Sequence, residues 1–195
     1  MKKILAIICL TIIITSCSED KDIILNPVAI TLNFSHSWNG TEMERMGDAR
    51  FALAVMAATI DGMPLIYNGQ ETSLDRRLKF FDKDSIEWKK MDLVPFYTKL
   101  LKLHQTNDAL WVNDGTNQAR FVETTNPKEQ LVYIRESNGH QVITVLNLTN
   151  KKSEFTFNSK NISGEYTDLF SGKKKTLLDS NKVALGPWGY QVYYK

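Results

Sequence analysis

Three carboxylates in the first half of the chain could take part in acid–base chemistry. Glu42 and Glu44 lie two residues apart at the start of a predicted helix, and Glu71 follows Gly69 and Gln70. Hydrolysis by general acid–base catalysis needs positioned carboxyl groups of this kind. Acidic residues at a helix start also stabilise the helix dipole. Glu71, in a Gly-Gln-Glu turn, fits a structural acid that closes the predicted barrel better than a proton donor. Spacing alone therefore assigns none of them to catalysis.

The remaining polar motifs do not predict a metal site. His36, His104 and His140 lack the spacing of metal ligands. The run 82–84, Asp-Lys-Asp, begins like a calcium loop, but the central glycine and the acidic twelfth residue do not follow. We expect a polar turn before Trp88. No metal and no cofactor is predicted.

The start of the chain has the pattern of a secretory signal. Lys2 and Lys3 precede the short apolar run 5–14, and small residues come before Cys17. A membrane or core helix is the alternative, but a span needs about 20 apolar residues. The end of the run resembles a bacterial lipobox, which implies cleavage after residue 16 and a lipid on Cys17. The acidic residues 18–20 resemble the tag of surface-exposed lipoproteins.

These features predict a signal peptide at 1–16, a tether at 17–27 and a bacterial lipoprotein of the outer membrane or cell surface, anchored by lipid alone. Removing Lys2 and Lys3 from the 24 basic residues leaves 22, equal to the 22 acidic residues. A chain without net charge or a basic stripe is not predicted to bind nucleic acid. Cys17 has no disulfide partner in the mature chain, which fits a lipid anchor.

Periodicity divides the rest of the chain into two parts. A mostly buried helix is predicted over 44–60, stopped by Gly62, and the apolar run 64–67 suits a strand buried on both faces. A second helix begins near Asp92, its predicted cap, with Pro95 in the first turn. Its apolar stripe is Leu93, Phe96, Tyr97, Leu100 and Leu101.

After Trp111 the apolar period changes from 3.6 to 2. Strands are predicted at 131–135 and 142–146, joined by an Asn138-Gly139 hairpin turn. Shorter strands follow at 154–157, 166–170 and 190–194. The fold class predicted is α/β plus all-β, with the end of an α/β barrel at 28–110 and an antiparallel β-sandwich at 111–195.

Four motifs in this order resemble the α-amylase family of glycoside hydrolases, over about residues 28–195. They are SWNGTE (37–42), GMPLIYNGQE (62–71), FDKDSIEW (81–88) and PWGY (187–190). The resemblance implies a partial (β/α)8 barrel, containing strands seven and eight with their helices, and a C-terminal sandwich. It also implies an origin in a family whose complete enzymes cleave α-glucosidic bonds with retention of the anomeric configuration.

The resemblance implies that the catalytic carboxylates are missing. Retaining hydrolysis takes two carboxyl groups about 5 Å apart, and the family supplies both from barrel strands that have no counterpart here. A third comes from an Asn-His-Asp motif before SWNG. Depending on the alignment, Asn33 and Phe34 replace its His and Asp, or Asn33 keeps the Asn while Phe34 and Ser35 replace the others.

Four residues are carried over as substrate-binding candidates: Asn33, Trp38, Asp75 and Arg76. The family places an Asp and an Arg on the loop after strand eight against the sugar, and Trp38 could stack on a glucose ring. A solvated charge cluster and simple turn packing are the alternatives.

Two functions follow from different classes. The first is a truncated α-amylase-like glycoside hydrolase of α-glucan metabolism, inactive alone. The second is a non-catalytic surface lipoprotein module that binds α-glucan or a protein partner, including a protein that supplies the missing barrel half. An active hydrolase with relocated carboxylates is a third alternative.

Overall fold

The computed structural model describes residues 40–79, 81–88, 90–111 and 117–195. The predicted signal peptide, Cys17 and the tether lie outside these residues, as do Asn33 and Trp38. All of these remain predictions. No helix in the described residues is long and apolar enough to cross a membrane.

The helix predicted over 44–60 is two helices, α1 (Glu42–Met46) and α2 (Ala49–Thr59). Gly47 ends α1 with a φ of +52°, a conformation that glycine adopts without steric cost. Thr41 begins α1 through a capping box with Glu44. Gly62 follows the end of α2 with a φ of +121°. The buried residues of α2 are Ala49, Ala52, Val55, Met56, Ala58 and Thr59, and the other residues of the helix are partly exposed.

The predicted buried strand at 64–67 is wrong. The segment has no strand assignment, and the Leu65 side chain is 63% exposed. A strand buried on both faces needs neighbours on each edge and layers above and below. In the described residues every paired strand is antiparallel and lies after residue 119, so no described strand pairs with 64–67. The partial barrel is therefore not seen in the described chain.

Helix α3 spans Val94–Thr106, with Pro95 in its first turn as predicted. Asp92 is not its cap: the N-cap residue is Leu93, and no side chain caps the helix. Proline at this position supplies no N–H that a cap would have to satisfy. The buried stripe is Tyr97, Leu100 and Leu103, whereas the predicted Leu101 is 40% exposed.

Eight strands follow in the part of the chain that the structure describes. They are β1 (Arg120–Val122), β2 (Gln130–Ser137), β3 (His140–Asn147), β4 (Ser153–Asn158), β5 (Gly164–Asp168), β6 (Lys174–Leu177), β7 (Ser180–Leu185) and β8 (Tyr190–Tyr194). Six form a sheet in the order β1-β2-β3-β8-β5-β6, and β4 and β7 form a second, two-stranded sheet. This is the predicted antiparallel sandwich.

The hairpin between β2 and β3 confirms the predicted turn. Ser137 pairs with His140, and Asn138 and Gly139 between them have φ values of 51° and 82°. Two successive positive φ values define the type I′ turn, whose twist matches that of the flanking strands.

The six-stranded sheet is the middle of three layers. On one face, residues such as Val132, Ile134 and Ile143 pack against Phe155 and Phe157 of the small sheet. On the other face, Tyr133, Val142, Leu146 and Val192 pack against α2 and α3. The side chains of a strand alternate between faces, so β2, β3 and β8 can supply both cores at once.

Candidate functional site

The predicted sugar contact Asp75 is tied to the start of α1. Thr41 Oγ1 donates a hydrogen bond of 2.6 Å to Asp75 Oδ1. The same hydroxyl oxygen accepts the Glu44 N–H at 3.2 Å, and Glu44 Oε2 accepts the Thr41 N–H at 2.8 Å. Thr41 therefore joins the 70–76 loop to the helix cap, and Glu44 has a capping role.

Glu71 holds a tight turn closed. Gly69 at a φ of +95° lets the chain reverse, and its N–H donates to Glu71 Oε2 at 3.1 Å. Gln70 accepts the Tyr67 N–H at 2.6 Å and donates to Glu42 Oε2 at 3.3 Å. These contacts are those of a structural acid, the alternative raised for Glu71 from the sequence.

The Glu42 carboxyl of this cluster has a raised pKa. Burial raises the pKa of the Glu42 carboxyl, while the bond from Gln70 and the charges of Arg50 and Arg45 act in the opposite direction. Burial also raises the pKa of the Tyr97 hydroxyl, and Glu42 adds to that shift. A raised pKa suits a proton donor, but Glu44, Glu71 and Asp75 are each engaged in local hydrogen bonds.

Arg76 and Asp75 contact different residues. Its guanidinium pairs with both oxygens of Asp84, at 2.7 and 3.0 Å, and also donates to the Ser85 carbonyl. Asp84 accepts the Lys79 N–H at 2.8 Å as well. The Arg76 bond, followed by the Lys79 N–H, holds the pKa of the Asp84 carboxyl well below its usual range.

The run 82–84 is therefore a polar turn closed by Arg76, as its sequence suggested. Within the described parts of the chain, no group of three His, Cys, Asp or Glu side chains could hold a metal ion. His104 packs at the rim of α3, with Nε2 3.4 Å from the Gly62 carbonyl, and burial lowers its pKa.

The segment 63–91 carries several large apolar side chains in contact with solvent. Met63 is 77% exposed, Leu65 63%, Phe81 88%, Trp88 51% and Met91 47%. Single exposed apolar side chains are ordinary, but five within one segment of 29 residues are typical of a surface that another element covers.

Sequence reasoning missed Arg135, the largest fully buried side chain. Its place in β2 carries the signal: Tyr133 and Arg135 are two residues apart and so share the helix-facing side of the strand. A charged residue at a position predicted to be buried indicates fixed partners. Those partners are the carbonyls at the ends of the helical layer, described below.

Residues 119–192 match the family described as "Maltogenic Amylase, C-terminal domain". Over 147 residues, the chain is 26% identical to "Alpha-amylase 2" of Dictyoglomus thermophilum, an alignment that covers 69% of this chain and 23% of that protein. The chain thus spans about a quarter of the length of the curated relative it matches.

Solved structures share the fold. A noncanonic maltogenic α-amylase AmyB from Thermotoga neapolitana aligns with a TM-score of 0.64 and 15% identity, over 78% of this chain and 38% of that one. An Anoxybacillus α-amylase aligns with a TM-score of 0.61 and 17% identity, over 75% and 32%. At these identities the similarity establishes the fold and leaves the activity of the chain to be argued from its residues.

Proposed function

We propose, from the match of residues 119–192 to the maltogenic amylase C-terminal domain family, that this chain is the C-terminal part of an α-amylase-family glycoside hydrolase of α-glucan metabolism. Its β domain fixes the helices that would end a catalytic barrel, and the chain does not hydrolyse glucan by itself. The observation that carries this proposal is the buried contact of Arg135 with the helical layer.

The Arg135 guanidinium donates hydrogen bonds to four backbone carbonyls in separate turns. Its Nε donates to Asn117 at 2.9 Å, one terminal nitrogen donates to Ile60 at 3.1 Å and Leu110 at 3.3 Å, and the other donates to Trp111 at 3.2 Å. Carbonyls just past a helix end lack helical partners, and a guanidinium offers five donors in a fixed plane. One β-strand residue therefore fixes the ends of α2 and of the turn after α3.

Three further contacts join the same layers. Thr59 of α2 lies 2.6 Å from the Tyr133 hydroxyl and accepts from Thr144 at 3.0 Å, all fully buried. Phe96 of α3 stacks on Phe170 with ring centroids 5.6 Å apart. Buried hydroxyls and ring stacks of this kind specify one docking geometry, which suits a domain that positions helices.

The hydrogen bonds of the carboxylates support the proposal that the chain does not hydrolyse glucan by itself. Retaining hydrolysis takes two carboxyl groups about 5 Å apart. Glu44 is used by the helix cap, Glu71 by the Gly69 turn and Asp75 by Thr41. Glu42 has a raised pKa, but its bond from Gln70 ties it to the same turn. Each acid near the helix start thus has a structural role.

The test is hydrolysis of soluble starch and maltoheptaose by the full chain, measured as new reducing ends. We expect no release above that of a boiled sample, with an intact α-amylase as the positive control. Release that disappears on Glu42→Gln would contradict the proposal, because it would make Glu42 a catalytic residue.

A second candidate is a surface lipoprotein module without catalysis, and the exposed apolar side chains of 63–91 favour it. Trp88 is half exposed three residues after Ser85, whose carbonyl accepts from Arg76. An aromatic on a loop held by an ion pair can stack on glucose, and the remaining apolar surface can contact a protein that supplies the rest of a barrel. Lipid attachment at Cys17 would place this module at the membrane.

The melting temperature of the full chain, measured with and without millimolar maltoheptaose, distinguishes the two candidate functions. A ligand that binds the native state raises the melting temperature. A rise that Trp88→Ala removes favours the binding module. Incorporation of labelled fatty acid into the chain, absent in Cys17→Ser, tests the anchor.

A further inference from the structure

The segment 76–91 is a loop whose two ends lie together. Just outside it, the Leu93 N–H donates to the Glu71 carbonyl at 3.3 Å and closes the base of the loop. Within it, the Arg76 guanidinium pairs with Asp84 at 2.7 Å. A short loop closed at its base and tied inside by an ion pair can present its other side chains outwards in a fixed arrangement.

The loop has an excess of positive charge. Residues 76–91 contain six basic and three acidic residues, which leaves a net charge of +3, whereas the whole chain has +2. Arg76 and Asp84 neutralise each other, so the excess belongs to other side chains. Those cations that the structure describes are all exposed, namely Arg77, Lys79, Lys83 and Lys90. An anionic surface would be attracted to this side of the molecule.

The same loop exposes two aromatic rings. Phe81 is 88% exposed and Trp88 51%. Aromatic rings beside lysines are typical of segments at a membrane–water interface, where the ring enters the headgroup region and the ammonium stays at its polar edge. Protein–protein interfaces are also rich in aromatic residues, but they are depleted in lysine. Three of the four exposed cations of this loop are lysines, which favours a lipid surface over a protein partner.

The chain enters the described structure beside this loop. The described residues begin at Gly40, and the next residue, Thr41, donates to Asp75 at 2.6 Å. Asp75 directly precedes the loop. A lipid on Cys17 would therefore hold the chain by the face that carries the loop. One lipid chain gives only marginal membrane binding, whereas a lipid together with a basic patch gives stable attachment.

We infer that the 76–91 loop binds an anionic lipid surface, with its two exposed rings among the headgroups and its lysines against the phosphates. The inference rests on the surface-lipoprotein candidate for the presence of a membrane. The contact itself belongs to the loop and does not need the lipid on Cys17. It adds a second attachment to an anchor that the sequence predicts to act by lipid alone.

The full chain carrying Cys17→Ser and labelled with 5-fluorotryptophan tests the loop without the lipid. Vesicles of equal parts phosphatidylcholine and phosphatidylglycerol, with a small share of spin-labelled lipid, broaden the fluorine resonances of tryptophans that touch them. We expect broadening at Trp88. Trp111 is the matched control, because it is 42% exposed and lies outside the loop. Its resonance should stay narrow.

Removal of the loop lysines tests the charge. Lys79→Gln, Lys83→Gln and Lys90→Gln combined should raise the lipid concentration for half-maximal Trp88 broadening about tenfold or more. The control combines Lys160→Gln, Lys173→Gln and Lys175→Gln, which removes the same charge from exposed lysines of the β domain. It should change that concentration by less than about twofold, because distant surface charges are screened. Both variants keep residues 1–16, so any membrane contact of that run is common to them.

Three outcomes would overturn the loop contact. They are a narrow Trp88 resonance, equal broadening of Trp88 and Trp111, and equal effects of the two triple variants. Equal broadening by vesicles of phosphatidylcholine alone would overturn the anionic surface. A Trp88 resonance that moves with protein concentration or with maltoheptaose, in the absence of vesicles, would assign the loop to a second copy of the chain or to a sugar instead.

The fatty-acid and starch measurements are made separately from the vesicle measurement. A loop that fails to bind vesicles therefore leaves the proposed functions standing. A chain that takes up no fatty acid but still shows Trp88 broadening leaves the loop contact standing and removes the anchor.

Discussion

The guanidinium of Arg135 lies 3.4 Å from the carboxylate of Asp61, and this pair joins β2 to the segment that follows α2. The Arg135 side chain is 2% exposed and that of Asp61 20%. Both oxygens of Asp61 accept the Ala119 N–H, at 2.9 and 3.1 Å. The sheet, the helix end and the start of the β domain therefore meet at one ion pair.

Arg135→Met should be among the most damaging single substitutions in the described chain. It removes the guanidinium from the Ile60, Leu110 and Asn117 carbonyls and from the Asp61 charge, while the Trp111 carbonyl keeps the Asn117 side-chain amide and Asp61 keeps the Ala119 N–H. Breaking a buried pair costs about 3–5 kcal/mol. Urea unfolding followed by circular dichroism measures the loss. Lys182→Met removes one side of an exposed pair, 3.7 Å from Glu154, and should leave the urea midpoint nearly unchanged, because solvent screens exposed ion pairs. Similar losses for both variants would contradict the role of Arg135.

Arg135→Lys should not rescue the contact, although it keeps the charge. An ammonium has three donors on one atom and cannot reach carbonyls spread around a planar fork. We expect unfolding midpoints close to those of Arg135→Met. A midpoint equal to that of the wild type would show that charge alone is sufficient.

Tyr133→Phe should cost about 1–3 kcal/mol, because it leaves the buried Thr59 hydroxyl with one partner fewer. Combining Tyr133→Phe with Thr59→Val gives a double-mutant cycle. The pair should lose less than the sum of the single losses, since their contact is counted twice. Additive losses would show that the 2.6 Å contact contributes no coupling.

Gly139→Ala should destabilise the hairpin by about 1–2 kcal/mol, the cost of a left-handed conformation in a residue with a Cβ atom. An added Cβ at Gly139 meets no atom within 4 Å, so its φ of +82° is the cause of the loss. Gly186 is a matched control: its Cβ also meets nothing within 4 Å, and its φ is not in the left-handed region. Gly186→Ala should change stability by less than about 0.5 kcal/mol. Thermal melts of the two variants make the comparison.

The loop closed by Arg76 and Asp84 should open in acid. The pKa of the Asp84 carboxyl is lowered in the folded chain, so its contribution is present above the ordinary value of about 4 and is lost as pH falls towards the lowered value. The fluorine resonance of 5-fluorotryptophan at Trp88 should shift over that range. In Asp84→Asn the resonance should already hold its low-pH position at neutral pH. A Trp88 resonance with the same pH profile in both proteins would exclude the ion pair as the cause.

The β domain could largely be predicted from the sequence. The Asn138-Gly139 turn fixes the β2–β3 register through local backbone geometry, and 190–194 is rich in the aromatic and β-branched residues that favour strands. The strands β1, β6 and β7 were missed. The strand β1 has three residues, β6 has one buried residue, Leu177, after exposed lysines, and β7 has two buried residues, Val183 and Leu185, too few to give a clear alternation. Edge strands are specified by their partners more than by their own pattern.

The candidate site could be predicted only in part. Asp75 and Arg76 were found through a motif, but a motif does not show that Thr41 and Asp84 occupy them. The prediction of a strand at 64–67 was wrong for a related reason, because an apolar run becomes a buried strand only where other strands surround it.

The position of Arg135 in the chain also sets an order of events during synthesis. All four carbonyls that it binds lie before it, at Ile60, Leu110, Trp111 and Asn117. The apolar faces of α2 and α3 leave the ribosome before the β-strands that cover them, and Val192 of that cover comes near the end. At about 5–20 residues per second, these helices wait several seconds for the sheet. Protection of the nascent chain is therefore needed most while residues 107–192 are being made.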